Sequence, residues 1–581
     1  MGMSSVNQTL RDRVSRQILR RRAVTVPTEV PGTDAIFLVL RRMRTPLIVL
    51  VVIFTISVVG LSFMPGTDEA GNPHRLTLFD AFYVMSYTAT TIGFGEIPYP
   101  FSYPQRMWVT ASIYLSVIGW AYAISTLFGL LQERGFREAI TIQRLRRRIQ
   151  AISEPFLIIA GYGQTGRAVV RVLDEHRQRF VVIDHNPRKI DALAVDEHNE
   201  DVPGIEGDVH NPAVLGLAGL GHPLCEGVVA LTGDTGNLAV VMNVHLLRPE
   251  LPVITRCDDR RIAQHMTDFD PEAVINPYDR YGNYLALALK HPITFQLATW
   301  LTDPVGSPLL QPVDSLTDGP WLVVGDGRFS EEVALDLRAI GLDVTVTDPR
   351  EGHPDVSDMV GMIAGAESDT ENLALAAHAR LAKPGIFLAV RQRSTLQAAT
   401  MQAFAADSLF VPSDLVTREV AAHLISPDYW AFIDHVFHAD NEWSEQVLER
   451  FVARIGVDTP NSTEFALDAA AAPAVHRWLQ EGKELTIAQL IADPDDCSSP
   501  LPVLVVSLIR EETTEFLPTE DTLLQPGDLL VLAGRPGGFD DLERTLVNDH
   551  VVHYVATGQV RPETWLFRKL ATLGQTTRWR G

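Results

Sequence analysis

Two long apolar stretches lie close together near the start of the chain. Residues 46–63 are uncharged and largely apolar, and residues 107–131 form a second run of about 25 residues, roughly 37 Å long as a helix. Both are long enough to cross a bilayer. The segment between them contains the alternating glycines Gly93 and Gly95. This pattern predicts two transmembrane helices that flank a re-entrant loop.

After residue 153 the pattern changes to short apolar runs that alternate with helix-like segments. Phe156–Ala160 leads into a glycine turn, residues 168–173 continue as a helix, and Phe180–Asp184 is a second strand. Short apolar strands joined through helices are typical of parallel α/β sheets. A Rossmann-type α/β fold is therefore predicted from residue 154 onward.

The same pattern recurs further along the chain, which predicts two copies of one domain. Segments 321–330 and 344–348 repeat the first strand, the turn and the second strand. Two further matches pair residues 233–238 with 368–373, and Pro277 and Pro292 with Pro412 and Pro427 at the same spacing of fifteen.

Arginines border both apolar runs. Nine of them precede the first run, against three acidic residues, and six more follow the second run. By the positive-inside rule this predicts a multi-pass protein of the inner (plasma) membrane with both termini cytoplasmic and the loop outside. The first forty residues show no cleavable signal peptide, so the first span is expected to act as its own insertion signal. Nucleic-acid patches are the alternative interpretation, but charge beside membrane spans is commoner.

The loop Thr90–Glu96 has the composition of an ion-selectivity filter. Irregular backbone at membrane depth is tolerated where protein buries it or where water and ions line it. Gly93 and Gly95 can take φ values closed to other residues, which turns successive carbonyls to one side, and Thr91 can add a hydroxyl. These oxygens would bind a dehydrated cation. The alternative is a glycine turn in the re-entrant loop of another kind of membrane protein.

This loop and the residues before it resemble the pore helix and filter of potassium channels. The matching residues are Leu78–Tyr83, Thr88 and Thr90–Glu96, where the usual filter ends Thr-Val-Gly-Tyr-Gly-Asp. The resemblance implies a selectivity filter of Thr91, Ile92, Gly93, Phe94, Gly95 and Glu96, with K+ held at Thr91, Ile92, Gly93 and Phe94. Phe94 departs from the pattern because it lacks a hydroxyl that braces the filter, and Glu96 lengthens the usual aspartate.

The first glycine turn carries a dinucleotide-binding fingerprint, Gly161-Tyr162-Gly163-Gln164-Thr165-Gly166. Gly161 makes the tight turn, Gly163 admits the pyrophosphate, and Gly166 lets the helix pack on the strand. The helix N-terminus then offers free N–H groups to the phosphates.

Two acids complete this predicted site. Asp184 follows Gly161 by 23 residues, where a carboxylate accepts the ribose hydroxyls, and this favours NAD or an adenosine nucleotide over NADP. Asp208, in a segment that the second copy lacks, is assigned to the same site. A Rossmann scaffold that has kept its glycines for packing alone is the alternative.

The second copy departs from the fingerprint. Ser330 replaces the third glycine, and acids surround the place where a phosphate would lie, namely Asp326, Glu331 and Glu332. Carboxylates at a helix N-terminus occupy the electrostatic niche of an anion, although Arg328 can offset them. The candidate residues are Gly325, Gly327, Arg328 and Asp348. We expect the weaker nucleotide site here, and a structural role, another ligand or a cation stay open.

A pore of this kind followed by tandem Rossmann units resembles the prokaryotic potassium channels gated by RCK (regulator of conductance of potassium) domains. The resemblance implies a membrane α pore domain with two transmembrane helices, a pore helix and a filter loop, then two Rossmann-like α/β RCK domains and a small α+β C-terminal lobe. The implied boundaries are a basic N-terminal segment 1–45, the pore domain 46–131 with its filter 90–96, a linker 132–153, RCK domains 154–310 and 318–450 with helical crossovers Pro277–Asp303 and Pro412–Asp440, a lobe 455–560 and a tail 561–581.

The resemblance also implies an assembly and a gating mechanism. One pore loop per chain cannot surround an ion, so a homotetramer is expected, with its eight RCK domains in a ring below the membrane. Gly119 lies where related pores bend, and a gating hinge and a close-packing position are both open. Some relatives are opened by Ca2+, but the equivalent positions Ala230, Arg256 and Asp258 keep one acid of three, so the usual site is not matched.

Charge and cysteine content narrow the possible partners. Residues 1–153 carry a net charge of +8, from 17 basic and 9 acidic side chains, and the remaining 428 residues carry −31, since the chain total is −23. This acidity argues against a nucleic-acid partner. The three scattered cysteines exclude a disulfide framework and suit a reducing compartment.

Together these features predict a passive potassium channel gated by cytoplasmic NAD+, NADH or another adenine nucleotide, and not an enzyme. A membrane-anchored NAD-dependent oxidoreductase would need a substrate domain, where this chain has a second nucleotide fold. A nucleotide-binding component of a potassium transporter is the other alternative, but that architecture needs four pore repeats in one chain.

Overall fold

A computed structural model describes residues 26–27, 35–68, 71–95, 99–132, 134–309, 319–511 and 513–560. Most of the basic N-terminal segment, Glu96 of the predicted filter and the tail 561–581 lie outside these residues. The chain divides into two compact units, Met1–Pro155 with Asn211–Cys225 and Phe156–His210 with Glu226–Gly581.

The first unit contains the two apolar helices that the hydropathy predicts. Its N-terminal elements are α1 (Ala35–Phe63), the hairpin β1 (Gly66–Thr67) and β2 (Pro73–His74), α2 (Leu78–Ala89), α3 (Tyr103–Gln132) and α4 (Arg134–Gln150). Met43–Phe63 and Tyr103–Gly129 are long and apolar enough to cross a membrane. Helix α1 begins at Ala35, before the predicted start of the apolar run at Pro46. The arginines just before Pro46 lie outside the uncharged run, but arginine is a good helix former and the helix extends through them.

Helices α1 and α3 pack closely at two glycines. The Trp108 ring of α3 lies against Gly60 and leaves no room for a Cβ there, and its Nε1 donates to the Ser57 carbonyl at 3.0 Å. At Gly119 a Cβ would lie 2.9 Å from Ile53 Cδ1, and α3 runs through this position as helix. Gly119 is thus in a close-packing position, and its role as a hinge stays a prediction.

Residues 156–275 form a six-stranded sheet in the order β5-β4-β3-β6-β7-β8, the strand order of dinucleotide-binding folds. The predicted strands Phe156–Ala160 and Phe180–Asp184 are confirmed within it. The elements are β3 (Phe156–Ala160), α5 (Gln164–Glu175), β4 (Arg179–Asp184), α6 (Pro187–Val195), β5 (Gly204–Glu206), α7 (Pro212–Leu217), β6 (Cys225–Ala230), α8 (Asp234–Leu247), β7 (Val253–Arg256), α9 (Arg260–Thr267) and β8 (Ala273–Ile275).

Residues 321–410 form a second, five-stranded parallel sheet in the order β10-β9-β11-β12-β13. It is built like the first sheet without an equivalent of β5. The elements are β9 (Trp321–Val324), α12 (Arg328–Ala339), β10 (Val344–Thr347), β11 (Gly361–Ala364), α13 (Asp369–Ala382), β12 (Phe387–Arg391), α14 (Ala398–Phe404) and β13 (Ser408–Phe410).

In each sheet, an equivalent buried asparagine links a helix to the end of a strand by a hydrogen bond. The Asn237 amide donates to the Arg256 carbonyl at 2.8 Å, and the Asn372 amide donates to the Arg391 carbonyl at 3.0 Å. Both asparagines are fully buried, and each pair of equivalent residues is 135 positions apart, like Pro277 and Pro412. The predicted duplication is therefore present in the structure.

A pair of helices follows each sheet, and the first helix of each pair packs on the other copy. They are α10 (Pro277–Lys290) and α11 (Pro292–Thr302) after the first sheet, and α15 (Pro412–Ile425) and α16 (Pro427–Phe437), followed by α17 (Asn441–Arg454), after the second. Helix α10 packs on α12 and adds Tyr278, Tyr281 and Leu285 to the core of the second sheet. Helix α15 packs on α5 and adds Val416 and Val420 to the core of the first. Each Rossmann core is thus completed by a helix from the other copy.

The C-terminal lobe is a four-stranded antiparallel sheet in the order β14-β17-β15-β16. Its elements are β14 (Asn461–Ala466), α18 (Pro473–Gln480), α19 (Ile487–Leu490), β15 (Val503–Arg510), β16 (Thr513–Phe516), β17 (Leu529–Gly534), α20 (Pro536–Val547) and α21 (Asp549–Thr557). One face packs on α11, α16 and α17, and the other on the lobe's own helices. The strands predicted at 503–508 and 529–532 are confirmed.

Carboxylates are buried where α10 packs on α12. Asp336 and Glu332 of α12 are each 9% exposed, and Asp279 approaches them from α10. Arg260 of α9 bonds Asp279 at 2.7 Å and lies 3.5 Å from Glu332. Burial, followed by the charge of Asp279, raises the pKa of Asp336 to about 7. Protonation of Asp336 therefore removes a buried negative charge. The nearby cation, Arg260, is already paired with Asp279 and Glu332.

We expect Asp336→Asn to reduce the pH dependence of stability. Because the folded chain binds a proton at Asp336 more readily than the unfolded chain, stability should fall as pH rises from about 4 to about 7. The variant should be more stable than wild type by about 1–3 kcal/mol at pH 8. Unfolding temperatures of the detergent-solubilised chain between pH 5 and 8 measure this, with the exposed Glu331→Gln on the same helix as control. Identical pH profiles for Asp336→Asn and wild type would contradict the assignment.

Candidate functional site

The predicted filter follows α2 as an irregular segment with alternating backbone handedness. Thr91, Gly93 and Gly95 have φ values of 62°, 63° and 72°. The backbone N–H groups of Ile92 and Gly93 both donate to the Tyr87 carbonyl, at 3.0 and 3.2 Å. Positive φ at every second position is the backbone pattern on which the filter prediction depends, and the filter itself stays a prediction.

Phe94 contacts the pore helix through its ring. The Phe94 and Tyr87 ring centroids are 6.2 Å apart in an edge-to-face arrangement. In a single chain residues 91–95 are all exposed, with Ile92 at 60% and Phe94 at 69%. The apolar side chains of Ile92 and Phe94 are therefore uncovered in the single chain.

The glycines of the first Rossmann turn have different structural roles. Gly161 has a φ of 110°, and a Cβ there would lie 2.6 Å from the Leu231 carbonyl oxygen. A Cβ on Gly166 would overlap the Gly161 carbonyl, so that glycine allows α5 to approach β3. Gly163 has no atom within 4 Å of the position of a Cβ. The geometry leaves open space at the glycine to which the pyrophosphate is assigned.

Asp184 is buried beneath this turn and is already hydrogen bonded. Its carboxylate accepts from the backbone N–H groups of Tyr162 and Asn186, at 2.8 and 2.9 Å, and from Lys189 Nζ at 2.9 Å. Burial opposes ionisation, but these bonds outweigh it and lower the pKa of Asp184. The side chain is thus an anion fixed at the turn, and ribose hydroxyls would share its oxygens with Lys189.

Two further predicted residues lie on either side of Asp184. The Tyr162 side chain is buried, and its hydroxyl donates to Asp196 at 2.8 Å, so it anchors the turn instead of facing a ligand. Asp208 is exposed and accepts from the backbone N–H and Nδ1 of His210, which lower its pKa. Its neighbour Gly207 donates to the Asp184 carbonyl at 3.1 Å. The structure therefore brings the glycine turn, Asp184 and the Asp208 segment together.

The corresponding positions of the second copy are filled by its own side chains. A Cβ on Gly325 would overlap Ser330 Oγ, and one on Gly327 would lie 3.1 Å from Glu367 Oε1. Asp348 is bonded to Arg350, whose Nη2 also donates to Asp326 at 3.1 Å. Glu367, which the sequence did not suggest, is thus a carboxylate close to Gly327, the equivalent of Gly163.

Arg328 lies away from the second copy's predicted site. Its guanidinium pairs with Asp234 and Asp259 of the first copy, at 3.1 and 3.2 Å. An arginine engaged by two carboxylates of the other domain is an interdomain contact. The sequence did not reveal this, because Arg328 is adjacent to Gly327 whereas Asp234 and Asp259 lie 94 and 69 residues upstream.

Arg256 and its partners are polar residues that motif reasoning did not assign to the nucleotide site. Arg256 forms a bidentate pair with Asp258, at 2.8 and 3.0 Å, and donates to Thr165 Oγ1 at 3.0 Å. At the equivalent place in the second copy, Arg391 is 98% buried. The offset of 135 residues, applied to Arg256, would have identified Arg391 as its equivalent. Among the described residues, no group of three or more His, Cys, Asp or Glu is arranged to hold a metal ion.

Residues 157–277, which form the first Rossmann unit, match the TrkA-N domain family. The matched region is about a fifth of the chain. It ends where α10 begins and contains the whole first sheet apart from its first residue.

Similar proteins match part of the chain. An uncharacterized protein of Methanothermus fervidus is 26% identical over 246 residues, which are 42% of this chain and 38% of that protein. Potassium channel protein 1 of Methanocaldococcus jannaschii is 21% identical over 252 residues, 43% of this chain and 71% of that protein. The voltage-gated potassium channel Kch of Escherichia coli is 22% identical over 216 residues, 36% of this chain and 49% of that protein.

The chain thus spans between 38% and 71% of the length of these relatives. Among solved structures, the GsuK channel bound to NAD aligns with a TM-score of 0.42 at 14% identity, over 88% of this chain and 99% of that one. The sequence matches relate parts of the chain to the TrkA-N domain family and to prokaryotic proteins named as potassium channels.

Proposed function

We propose that this chain, which carries a TrkA-N domain, is the subunit of a potassium channel whose opening is controlled by NAD+, NADH or another adenine nucleotide. The observation that carries the proposal is the filter-type segment, with its alternating positive φ values, between two helices of bilayer length. Two of the relatives are named as potassium channels, which supports the pore assignment. Conduction is passive, and the chain is a channel and not an enzyme.

The pore is completed by four copies of the chain. Carbonyls of a single segment reach an ion from one side, and a dehydrated K+ needs oxygens all around it. The exposure of Ile92 and Phe94, and of apolar side chains along α1 and α3, is that of surfaces covered by other subunits or by lipid. In this assembly the filter faces outward in the plasma membrane, and both termini are cytoplasmic.

The nucleotide binds at the first Rossmann domain. Open space at Gly163, the N-terminus of α5 and the buried anion Asp184 are arranged for a pyrophosphate and a ribose. The equivalent space of the second domain holds the Glu367 carboxylate, which disfavours a phosphate there. A ligand that prefers one conformation of the cytoplasmic domains shifts the pore through α4.

Flux from proteoliposomes tests the whole proposal. Purified chain is reconstituted with internal K+ or Rb+, and efflux is followed with NAD+, NADH, ADP, ATP and Ca2+ added separately. We expect selective flux that changes with at least one of the nucleotides. Flux that none of the five additions changes would contradict the proposed control by nucleotides. The absence of flux under every condition would contradict the proposed pore. The particle mass in detergent gives an independent check, since a stable monomer or dimer would contradict the tetramer.

A further inference from the structure

Two cavities lie side by side among the helices that follow the two sheets. The first, of about 300 Å³, is lined by α10, α11, α15 and the edge strand β13, and we call it the apolar cavity. The second, of about 320 Å³, is lined mainly by α10 and α16, and we call it the polar cavity. Each has the volume of a small-molecule site. None of the described residues that line them comes before Arg280, so both are separate from the glycine turn and Asp184.

A pair of stacked aromatic rings separates the two cavities. On α10, Tyr281 and Leu285 line the apolar cavity, Arg280 lines the polar cavity, and Tyr284 lines both. Phe437 of α16 also lines both, and its ring stacks on that of Tyr284 with the centroids 4.8 Å apart. The two rings therefore form a common wall, and rotation of either ring would join the two spaces.

The carboxylate of Glu419, on α15, belongs to this common wall and lacks a hydrogen bond. Glu419 is 2% exposed and lines both cavities. Its Oε1 lies 3.2 Å from Arg280 Nε and accepts from the Tyr284 hydroxyl at 3.4 Å, which is long for a hydrogen bond. Its Oε2 has no hydrogen-bond partner among the described residues. A buried oxygen without a partner destabilises the fold, and a donor brought to this wall would remove that cost.

The composition of the walls favours a flat, uncharged ligand. In the apolar cavity Tyr281 and Phe410 stack with their centroids 4.3 Å apart, and Phe387 adds a further ring. Aromatic walls of this kind pack well against planar rings. Glu419 and Arg280 already pair with each other, so a charged ligand would bring a third charge of either sign to a buried wall without a partner for it.

We propose that these cavities bind a flat aromatic molecule with an N–H group, whose rings fill the apolar cavity and whose N–H donates to Glu419. The ligand replaces the long hydrogen bond from Tyr284 and turns that ring toward the polar cavity. Because α10 follows the first sheet and α15 follows the second, the ligand contacts one helix from each copy. The proposal does not depend on nucleotide binding at the first Rossmann domain.

Indole and benzofuran test this proposal, because the two molecules have the same shape and differ only in having an N–H or an oxygen at one ring position. Calorimetry of the full chain in detergent measures both affinities, with the heat of partition into protein-free micelles subtracted. We expect indole to bind wild type about fivefold more tightly than benzofuran, as for one hydrogen bond. In Glu419→Gln the amide oxygen stays with Arg280 and the amide nitrogen takes the place of Oε2, so the two affinities should agree within about twofold.

Two further variants complete the experiment. Ala288→Phe places a ring in the apolar cavity, which Ala288 lines, and should abolish indole binding. Glu445→Gln removes an exposed carboxylate of α17 outside both cavities and should leave the indole affinity within about twofold of wild type.

Four results would each overturn the proposal: no binding of either probe, equal affinities of the two probes for wild type, a preference for indole that survives in Glu419→Gln, and indole binding that survives in Ala288→Phe. Unfolding temperatures show whether each variant is folded. If Glu419→Gln does not fold, the preference of wild type for indole and its loss in Ala288→Phe still decide the test.

Discussion

Gly93→Ala should abolish potassium flux while leaving nucleotide binding intact. Gly93 has a φ of 63°, where a Cβ costs about 1–2 kcal/mol, and the proposed tetramer would bear this cost four times around one ion path. Relief of the strain would turn a carbonyl away from the path. Efflux of K+ or Rb+ from proteoliposomes should fall to the level of empty vesicles, while calorimetry of the same preparation should give wild-type nucleotide affinity.

Gly71 provides the matched control for this experiment. It has a φ of 82° in the loop between β1 and β2, with nothing within 4 Å of a Cβ position, so Gly71→Ala introduces similar backbone strain outside the filter. We expect flux through Gly71→Ala to stay within about twofold of wild type, because the substitution leaves the ion path alone. Equal losses in the two variants would show that strain in general, and not the filter geometry, stops conduction.

Asp184→Asn should weaken the binding of adenine nucleotides about tenfold or more, or ~1.4 kcal/mol. The bonds that hold the Asp184 carboxylate lower its pKa, so it is an anion at neutral pH, and ribose hydroxyls donate more strongly to a charged acceptor than to an amide. Asparagine keeps an oxygen for the Tyr162 N–H and so preserves the glycine turn. Calorimetric affinities measure the effect, and an unchanged unfolding temperature confirms that the domain is intact.

The equivalent substitution in the second domain is the control. Asp348 is engaged by Arg350, and the phosphate position beside it holds Glu367, so Asp348→Asn should leave nucleotide affinity unchanged. If Asp348→Asn caused the larger loss, the ligand would have to be assigned to the second domain. Wild-type affinity in both variants would contradict the assignment of the ribose to Asp184.

Elements with a strong local signal could be predicted from the sequence. Long apolar runs, glycines with a required φ and short apolar strands before turns each impose a conformation through nearby residues, so α1, α3, β3, β4 and the C-terminal strands were found. The positions of Gly161 and Asp184 followed from the same local pattern. The equivalence of Asn237 and Asn372 was also open to discovery, because residues 233–238 match 368–373 and Pro277 matches Pro412 at the same offset of 135 residues.

What could not be predicted depends on contacts between the copies. The resemblance implied helical crossovers at Pro277–Asp303 and Pro412–Asp440, but the sheet on which each one packs could not be predicted, because α10 and α15 join surfaces that are far apart in sequence. The pairing of Arg328 with Asp234 follows from that packing, and so does the place of Arg391 opposite Arg256. Glu367 was missed because it approaches Gly327 from the end of a different strand, about forty residues later in the sequence.

The exchange of α10 and α15 also bears on how a tandem of this kind can evolve. Two identical domains that complete each other's cores through a helix are, in effect, a symmetric dimer joined into one polypeptide. When the two domains are joined in one polypeptide, each always pairs with the other. The two domain sequences can then differ, which is not possible when one gene encodes both halves of a homodimer. One half can then keep an open turn at Gly163 while the other places Glu367 in the equivalent space. Loss of either half would uncover the core of the other unless a second chain supplied the missing helix.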